Sequence, residues 1–184
     1  MSMTDSWFPD LVDCIITVSE NTKKDMIEYW NIPPEKITVI YHGIQNINIE
    51  QIHNLKIINS PYILYVGARS KFKNFENAVK AYSIVNQKYP EIKFVCTGSD
   101  FTKSEIDLFE SLNISKHIIH KSVNDIELFS LYHHAICYIY PSLYEGFGMP
   151  LLEAMACECP VICSNTSCFP EIAGNAALYL DPFS

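Results

Sequence analysis

The sequence has little positive charge, and almost all of it is lysine. Thirteen basic residues stand against 21 acidic ones, which gives a formal net charge of −8. A chain with this charge is a poor match for nucleic acid or an anionic membrane as its main partner. Arg69 is the only arginine in the sequence. Because a planar guanidinium can bind phosphate or carboxylate through two parallel hydrogen bonds, Arg69 is a candidate anion ligand.

The sequence also lacks a signal peptide, a membrane span and a zinc-type cysteine pair. The apolar run at 11–18 is interrupted by Asp13 and is too short to cross a bilayer. No two of the seven cysteines have the C-x2-C spacing, and most lie inside apolar runs: Cys14, Cys96, Cys137, Cys157, Cys159, Cys163 and Cys168. We therefore predict a cytoplasmic protein with buried, reduced thiols and no metal site.

From Pro61 onward, short apolar runs alternate with amphipathic segments, which is typical of parallel β/α units. The predicted strands cover 62–67, 92–98, 117–121, 135–141, 160–164 and 177–181. Four helices are predicted between these strands. The first carries an apolar stripe from Phe75 to Val85, and the second covers about 103–112. The third starts with a capping box at Ser122–Asp125, and the fourth begins at Pro150. The predicted fold class is therefore α/β, with a Rossmann-like parallel sheet flanked by helices.

The domain prediction divides the chain into three parts. Residues 11–43 read as one strand-helix-strand unit, which cannot close a core alone, so we expect 1–45 to be the remnant of a preceding domain and its crossover. Residues 46–60 have no clear periodicity and are predicted to be a linker. Residues 61–184 form the predicted Rossmann-like domain, whose C-terminal end is expected to be truncated because no helix follows the last strand.

Three polar segments follow predicted strands: 67–74, Gly98-Ser99 and 144–150. In an open parallel sheet, ligands bind at the carboxyl ends of the strands, so these segments are expected to converge. The Gly146/Gly148 turn leads into a helix, whose free N–H groups and dipole favour phosphate. Arg69 and Lys73 add two cations, which suit a diphosphate. Neither a Walker A loop nor a G-x-G-x-x-G fingerprint is present.

Two acids, Glu145 and Glu153, bracket this turn. A first-turn carboxylate favoured by the helix dipole would explain Glu153 alone, and a solvated loop acid would explain Glu145 alone. Together, they also suit a ligand with hydroxyl groups on both sides of a diphosphate, because each carboxylate can accept hydrogen bonds from a vicinal diol. Such a ligand is a nucleotide-sugar.

These motifs carry a resemblance to a known family. Glu145 and Glu153, separated by the seven residues GFGMPLL, resemble the E-x7-E region of the retaining family-4 glycosyltransferases of GT-B fold. The segment VGARSKFKNFENAVKAY is similar to that family's phosphate-binding loop. FPEIAGNAALYLDP resembles the segment after the E-x7-E helix, and residues 15–44 resemble the crossover from the N-terminal domain. The resemblance covers about residues 11–183 and implies the C-terminal, donor-binding domain.

The resemblance implies a role for each matching residue. Arg69 and Lys73 would bind the donor diphosphate, Glu145 would contact the transferred sugar, and Glu153 would hold the ribose diol. The Gly146, Phe147, Gly148 and Met149 backbone would contact phosphate or sugar. Gly67 would lie near the phosphates, and Ser122 and Val123 near the base. The implied reaction is sugar transfer with retention and without a cofactor or metal, and the sequence indeed has no Asp-x-Asp.

The family's acceptor domain has no counterpart in this sequence, and Glu158 stands where the family usually has a glycine after the helix. The donor remains open between GDP-mannose and a UDP-sugar; KNFENAV is similar to mannosyltransferase-like members and favours GDP-mannose. The implied acceptor is a glycan or a lipid-linked saccharide, with peripheral membrane association of the full-length enzyme left open. The alternatives are a non-catalytic nucleotide-sugar-binding module that pairs with a separate acceptor-domain chain, or another GT-B enzyme such as an epimerase or a phosphorylase.

Overall fold

A computed structural model describes residues 12–183, which belong to two compact units that divide between Gly43 and Ile44. The first 11 residues of the predicted N-terminal remnant, and Ser184, lie outside the described residues. No helix in the described part of the chain is both long enough and apolar enough to cross a membrane.

The described part of the first unit is a strand-helix-strand element, as predicted. It consists of β1 (Ile15–Thr17), α1 (Glu20–Trp30) and β2 (Ile37–Val39), and the two strands pair in parallel. The Ser19 side chain accepts a hydrogen bond from the Thr22 N–H and so caps the start of α1. Asn31 ends the helix in the left-handed conformation. A small core of Ile15, Ile32 and Ile37 holds these elements together.

The second unit is built on a six-stranded parallel sheet, which confirms the predicted fold class. Its strands are β3 (Tyr62–Tyr65), β4 (Lys93–Thr97), β5 (Ile118–Lys121), β6 (Cys137–Tyr140), β7 (Val161–Ser164) and β8 (Ala177–Leu180). The sheet order is β5-β4-β3-β6-β7-β8. Leu64 of β3 pairs with Val95 on one side and with Tyr138 on the other. The strand order reverses between β3 and β6, so the loops that follow these two strands border the crevice where ligands of such sheets bind.

The helices are α2 (Ile49–His53), α3 (Phe75–Lys88), α4 (Lys103–Ser111), α5 (Asp125–His134), α6 (Met149–Ala156) and α7 (Phe169–Ala173). Successive strand residues point to opposite faces, so Leu64 and Tyr65 belong to two different hydrophobic clusters. A sheet that is covered on both faces explains why the strand sequences are continuously apolar. In α3, the predicted stripe is buried at Phe75, Ala78, Val79 and Tyr82, whereas Val85 is only half-buried.

One local prediction was wrong, and the predicted linker contains a short helix. The capping box of α5 is formed by Asn124 and Glu127, not by Ser122 and Asp125, because the Asn124 side chain accepts from the Glu127 N–H while Glu127 accepts from the Asn124 N–H. Part of the predicted linker is also helical. α2 is one turn capped by Asn48, with Ile52 buried in the core, and a five-residue helix is too short to show a period in sequence.

Candidate functional site

The loops after β3 and β6 meet at the reversal point of the sheet. The Leu143 N–H donates to the Phe72 carbonyl oxygen at 2.7 Å, which joins the two loops directly. The β6 loop is also fastened to the segment after β7, since the Glu145 N–H donates to Ser167 Oγ at 3.2 Å. Two of the three predicted polar segments therefore converge at one edge of the sheet.

Lys73 and Glu145 form an ion pair in the crevice between these loops. Lys73 Nζ lies 2.6 Å from Glu145 Oε1, and both side chains are mostly buried, with 17% and 13% of their surface exposed. Lys73 Nζ also donates to Tyr140 Oη at 3.2 Å. The structure thus brings together one predicted diphosphate ligand and the predicted sugar ligand, and an incoming anion would have to share Lys73 with Glu145.

Arg69 lies in a different environment from Lys73. Its side chain is 4% exposed, and its Nε–H donates to Glu105 Oε1 at 2.7 Å. Nη2 donates to the carbonyl oxygens of Ser99 and Asp100 at 2.6 and 2.7 Å. The guanidinium also lies 4.9 Å from the Phe101 ring centre. These contacts hold the β3 loop to the segment after β4, and they occupy most of the donors of Arg69.

Two glycines allow the backbones at this edge to approach each other. Gly98 has a φ of 103°, and a Cβ there would lie 2.9 Å from the carbonyl oxygen of Gly67, which itself has a φ of 107°. The third predicted segment, Gly98-Ser99, therefore reaches the site through Gly67 and Arg69. A side chain at Gly67 or Gly98 would be strained in this conformation.

The glycine turn leads directly into α6, as predicted. Gly148 is the N-cap residue, with a φ of 88° and no side-chain cap, and Pro150 lies in the first turn. A Cβ at Gly148 would meet the rings of Phe169 and Tyr140 at 3.3 and 3.5 Å. Gly146 is exposed, Phe147 is buried and Met149 is half-buried. The start of α6 therefore places the positive end of its dipole at the crevice. Pro150 has no N–H, and the Leu151 N–H donates to the Gly148 carbonyl oxygen at 2.9 Å.

Glu153 lies in the middle of α6, and its carboxylate contacts α5, away from the Lys73–Glu145 pair. Its Oε2 accepts a hydrogen bond from Tyr132 Oη at 3.3 Å. Burial raises the pKa of Glu153, the Tyr132 hydrogen bond opposes that rise, and the charge of Asp125 adds to it. Ser122 is exposed and Val123 is half-buried, both in the loop between β5 and α5. Glu145 and Glu153 are therefore held by different partners.

Sequence reasoning missed the residues that support the predicted ligands. Tyr140 was assigned only to a strand, yet its hydroxyl accepts from Lys73. Tyr65 Oη donates to the backbone carbonyl oxygens of Ala68 and Lys73 at 3.3 and 3.2 Å, beneath the β3 loop. Glu105 was assigned only to a helix. Tyrosines at the ends of buried strands are a usable signal, since a buried hydroxyl needs a partner.

Two further features frame the site. A cleft of about 880 Å³ lies between the first turns of α3 and α4, and its lining includes Arg69 but neither Lys73 nor Glu145. Six of the seven cysteines are buried free thiols and Cys14 is exposed. Within residues 12–183, no three histidine, cysteine or acidic side chains are grouped so that they could hold a metal ion.

Sequence comparison identifies relatives that match more than nine tenths of this chain. O-antigen chain mannosyltransferase RfbU of Salmonella typhimurium strain LT2 is 33% identical over 171 aligned positions, and the match covers 91% of this chain and 46% of that protein. O-antigen chain mannosyltransferase B of Escherichia coli is 30% identical over 188 aligned positions, and the match covers 94% of this chain and 49% of that protein. This chain therefore spans about half the length of these relatives.

Comparison of structures agrees on the fold. Anabaena HepE, solved in complex with UDP-glucose, superposes with a TM-score of 0.80 at 17% identity, over 93% of this chain and 50% of that one.

Two family profiles match the sequence. Residues 2–46 match the Glycosyltransferase Family 4 sequence profile. Residues 48–182 match the profile described as glycosyl transferases group 1. The second match covers most of the described sheet and every candidate site residue, so the chain belongs to the group 1 glycosyltransferase family.

Proposed function

We propose that this chain is the donor-binding half of a retaining mannosyltransferase, which transfers mannose from GDP-mannose to a glycan or lipid-linked acceptor. The two O-antigen mannosyltransferases support the sugar and the polysaccharide context. The complex of HepE with UDP-glucose supports a nucleotide-sugar as the class of ligand. The acceptor would be held by the remainder of the full-length protein, since this chain spans about half of its relatives.

The observation that carries the proposal is the placement of Lys73, Glu145 and the start of α6 at the reversal point of the sheet. Lys73 and the positive end of the α6 dipole would bind the diphosphate. Glu145 would then be released to accept hydrogen bonds from the sugar, and Glu153 would accept them from the ribose diol. As the bond between the sugar C1 and the phosphate oxygen breaks, Lys73 would stabilise the negative charge of the departing diphosphate. We propose no metal ion or cofactor for this step.

Arg69 has a supporting role in this proposal. Direct contact with phosphate, which the family resemblance implies, would require the guanidinium to leave Glu105 and two carbonyl oxygens. The cost of separating a buried ion pair is several kcal/mol, so we propose that Arg69 holds the loop that presents Lys73.

Titration calorimetry with GDP-mannose, UDP-glucose and an ADP-sugar tests this function. GDP-mannose should bind, and more tightly than the other two. GDP should retain a large part of the affinity, because Lys73, α6 and Glu153 all contact the nucleotide part. Absence of binding to every nucleotide-sugar would contradict the proposal, and preference for UDP-glucose would contradict the choice of donor.

A second proposal is a nucleotide-sugar-binding module that acts only with a separate acceptor-domain chain. The first unit favours it, because Ile16, Tyr29 and Trp30 are each more than 60% exposed, and such apolar surface is typical of an interface. Mannose transfer to a lipid-linked acceptor should then require the second chain. Transfer by this chain alone would contradict both proposals, since each assigns the acceptor site to residues outside this chain.

A further inference from the structure

Three buried tyrosines form a row beneath the two glutamates. Tyr132 lies on α5, and Tyr138 and Tyr140 lie on β6; none is more than 2% exposed. The rings of Tyr132 and Tyr138 are 5.2 Å apart and perpendicular, and those of Tyr138 and Tyr140 are 5.4 Å apart. The row therefore connects the Glu153 side of the site with the Glu145 side through continuous aromatic packing.

One end of the row contacts Glu153 directly, and the other end is connected to Glu145 through Lys73. Tyr132 Oη donates to Glu153 Oε2 at 3.3 Å. Tyr140 Oη accepts from Lys73 Nζ at 3.2 Å, and Lys73 Nζ pairs with Glu145 Oε1 at 2.6 Å. Burial, with the nearby carboxylates adding to it, raises the pKa of both phenols. Both hydroxyls therefore keep their protons and can donate to the carboxylates.

The middle of the row differs from its ends. Tyr138 Oη is fully buried and has no hydrogen-bond partner among the residues that the structure describes. Its ring packs in the same row, but its hydroxyl supports neither glutamate. A substitution of Tyr138 therefore reports on ring packing in this row, whereas substitutions of Tyr132 and Tyr140 also remove a hydrogen-bonded hydroxyl.

A buried tyrosine can fix the orientation of a carboxylate. A free glutamate side chain samples several rotamers and loses that freedom when it binds a ligand. The Tyr140 ring is itself immobilised, because it packs 4.9 Å from the Phe169 ring and below the Cα of Gly148. A hydroxyl held in this way selects one carboxylate orientation before the ligand arrives, which lowers the entropic cost of binding.

We propose that Tyr140 and Tyr132 are positioning residues of the donor site. Tyr140 orients Lys73 and Glu145 toward the diphosphate and the transferred sugar, and Tyr132 orients Glu153 toward the ribose diol. Neither tyrosine touches the donor; each acts through its charged partner. The proposal rests on the proposed function, and adds to it that the ends of the row control different parts of one ligand.

The test compares Tyr140→Phe, Tyr132→Phe and the matched control Tyr138→Phe. Each variant is titrated with GDP-mannose, GDP and 2′,3′-dideoxy-GDP, and its fold is checked by circular dichroism. Tyr140→Phe should weaken GDP-mannose about tenfold and GDP less. Tyr132→Phe should weaken GDP by a similar factor but leave the dideoxy nucleotide unchanged. The factor corresponds to one hydrogen bond to a charged group. Tyr138→Phe should bind all three ligands like the parent chain.

A double-mutant cycle makes the test specific for positioning. In the Glu153→Gln background, Tyr132→Phe should cause no further loss of GDP affinity, because its partner has already been changed. Equal losses for all three ligands, or parent-like binding by both end variants, would overturn the proposal while leaving the proposed function intact. A parent chain that binds no nucleotide would overturn both. If one end variant loses its fold, the other end variant still tests the proposal. Its ligand selectivity is then measured in the parent chain and in the Glu153→Gln and Glu145→Gln backgrounds.

Discussion

At the scale of single residues, Lys73 is the cation that faces the candidate site. Its ammonium is shared between Glu145 and Tyr140, so a diphosphate would gain a partly desolvated positive charge. We expect Lys73→Ala to weaken GDP binding by about 1.5–3 kcal/mol, the range for a hydrogen bond to a charged group. Calorimetry measures this change.

Lys80 provides the matched control for Lys73. It pairs with Glu76 on the exposed surface of α3, where both side chains are more than half exposed. Lys80→Ala should leave GDP affinity unchanged and alter the free energy of unfolding by less than about 0.5 kcal/mol. An equal loss of affinity in both variants would show that long-range charge, and not the position of Lys73, binds the diphosphate.

The ion pair of Arg69 and Glu105 allows a prediction that separates loop support from direct phosphate binding. Burial alone would raise the pKa of Glu105, but hydrogen bonds from Thr102 and Arg69 and the charge of Arg69 lower it overall. Glu105→Gln keeps the shape of the side chain and weakens the pair, so the β3 loop should become less ordered and GDP affinity should fall several-fold.

The opposite result for Glu105→Gln would be equally informative. If Arg69 binds phosphate directly, release from Glu105 should increase GDP affinity, and the supporting role proposed for Arg69 would be wrong. Glu110→Gln, an exposed acid on the same helix, is the control for the change in net charge. It should affect neither the affinity nor the stability.

The pKa of Glu153 predicts a pH dependence at the ribose. Burial raises this pKa above its ordinary value of 4.5, so the folded chain holds the proton more tightly than the unfolded chain does. The contribution of Glu153 to stability is therefore greatest below the ordinary pKa and falls as pH rises through the folded value. The ionised carboxylate accepts from both ribose hydroxyls, so GDP affinity should increase over the same interval.

Calorimetry at a series of pH values from 4 upward tests this dependence. The affinity for 2′,3′-dideoxy-GDP should lack the increase that is assigned to Glu153, and Glu153→Gln should remove it for GDP. A pH profile that is identical for GDP and its dideoxy analogue would place Glu153 away from the ribose.

At the scale of elements, the end of α6 carries a local strain that the sequence predicts. Glu158 has a φ of 61° and is exposed, and a left-handed residue with a Cβ costs of order 1 kcal/mol. Glu158→Gly should therefore increase the free energy of unfolding by about 0.5–1 kcal/mol, measured by urea denaturation. Glu110→Gly, in the last turn of α4, should instead decrease it by about 1 kcal/mol. A decrease in both variants would mean that the greater freedom of glycine in the unfolded chain outweighs the relieved strain.

At the scale of the whole molecule, every candidate site residue lies in the unit that begins at Ile44. The described part of the other unit has a core of only three buried residues, which is too small to be stable alone. We therefore expect a chain of residues 44–184 to fold and to bind GDP with the affinity of the full chain. Calorimetry on the two chains checks this, and a loss of more than tenfold would mean that residues 1–43 contribute to the donor site.

The sequence by itself determined the strands, most helices and the meeting of two loops at one edge of the sheet. These features are encoded locally, by apolar runs, by the stripe from Phe75 to Tyr82 and by glycine turns, and the parallel β/α rule then places the loops together. It did not reveal α2 or the capping box at Asn124, because one turn of helix has no measurable period and neighbouring polar residues compete for the cap.

Only the tertiary structure decided what each charged side chain contacts. Arg69 and Lys73 are four residues apart and both were predicted to bind diphosphate, yet the structure buries one against Glu105 and turns the other to Glu145. Partners that lie more than 20 residues away set this difference, as they set the support of Glu153 by Tyr132 and of Lys73 by Tyr140. Sequence spacing places a residue at the end of a strand; the packing of other elements around it determines which of its hydrogen bonds are already made.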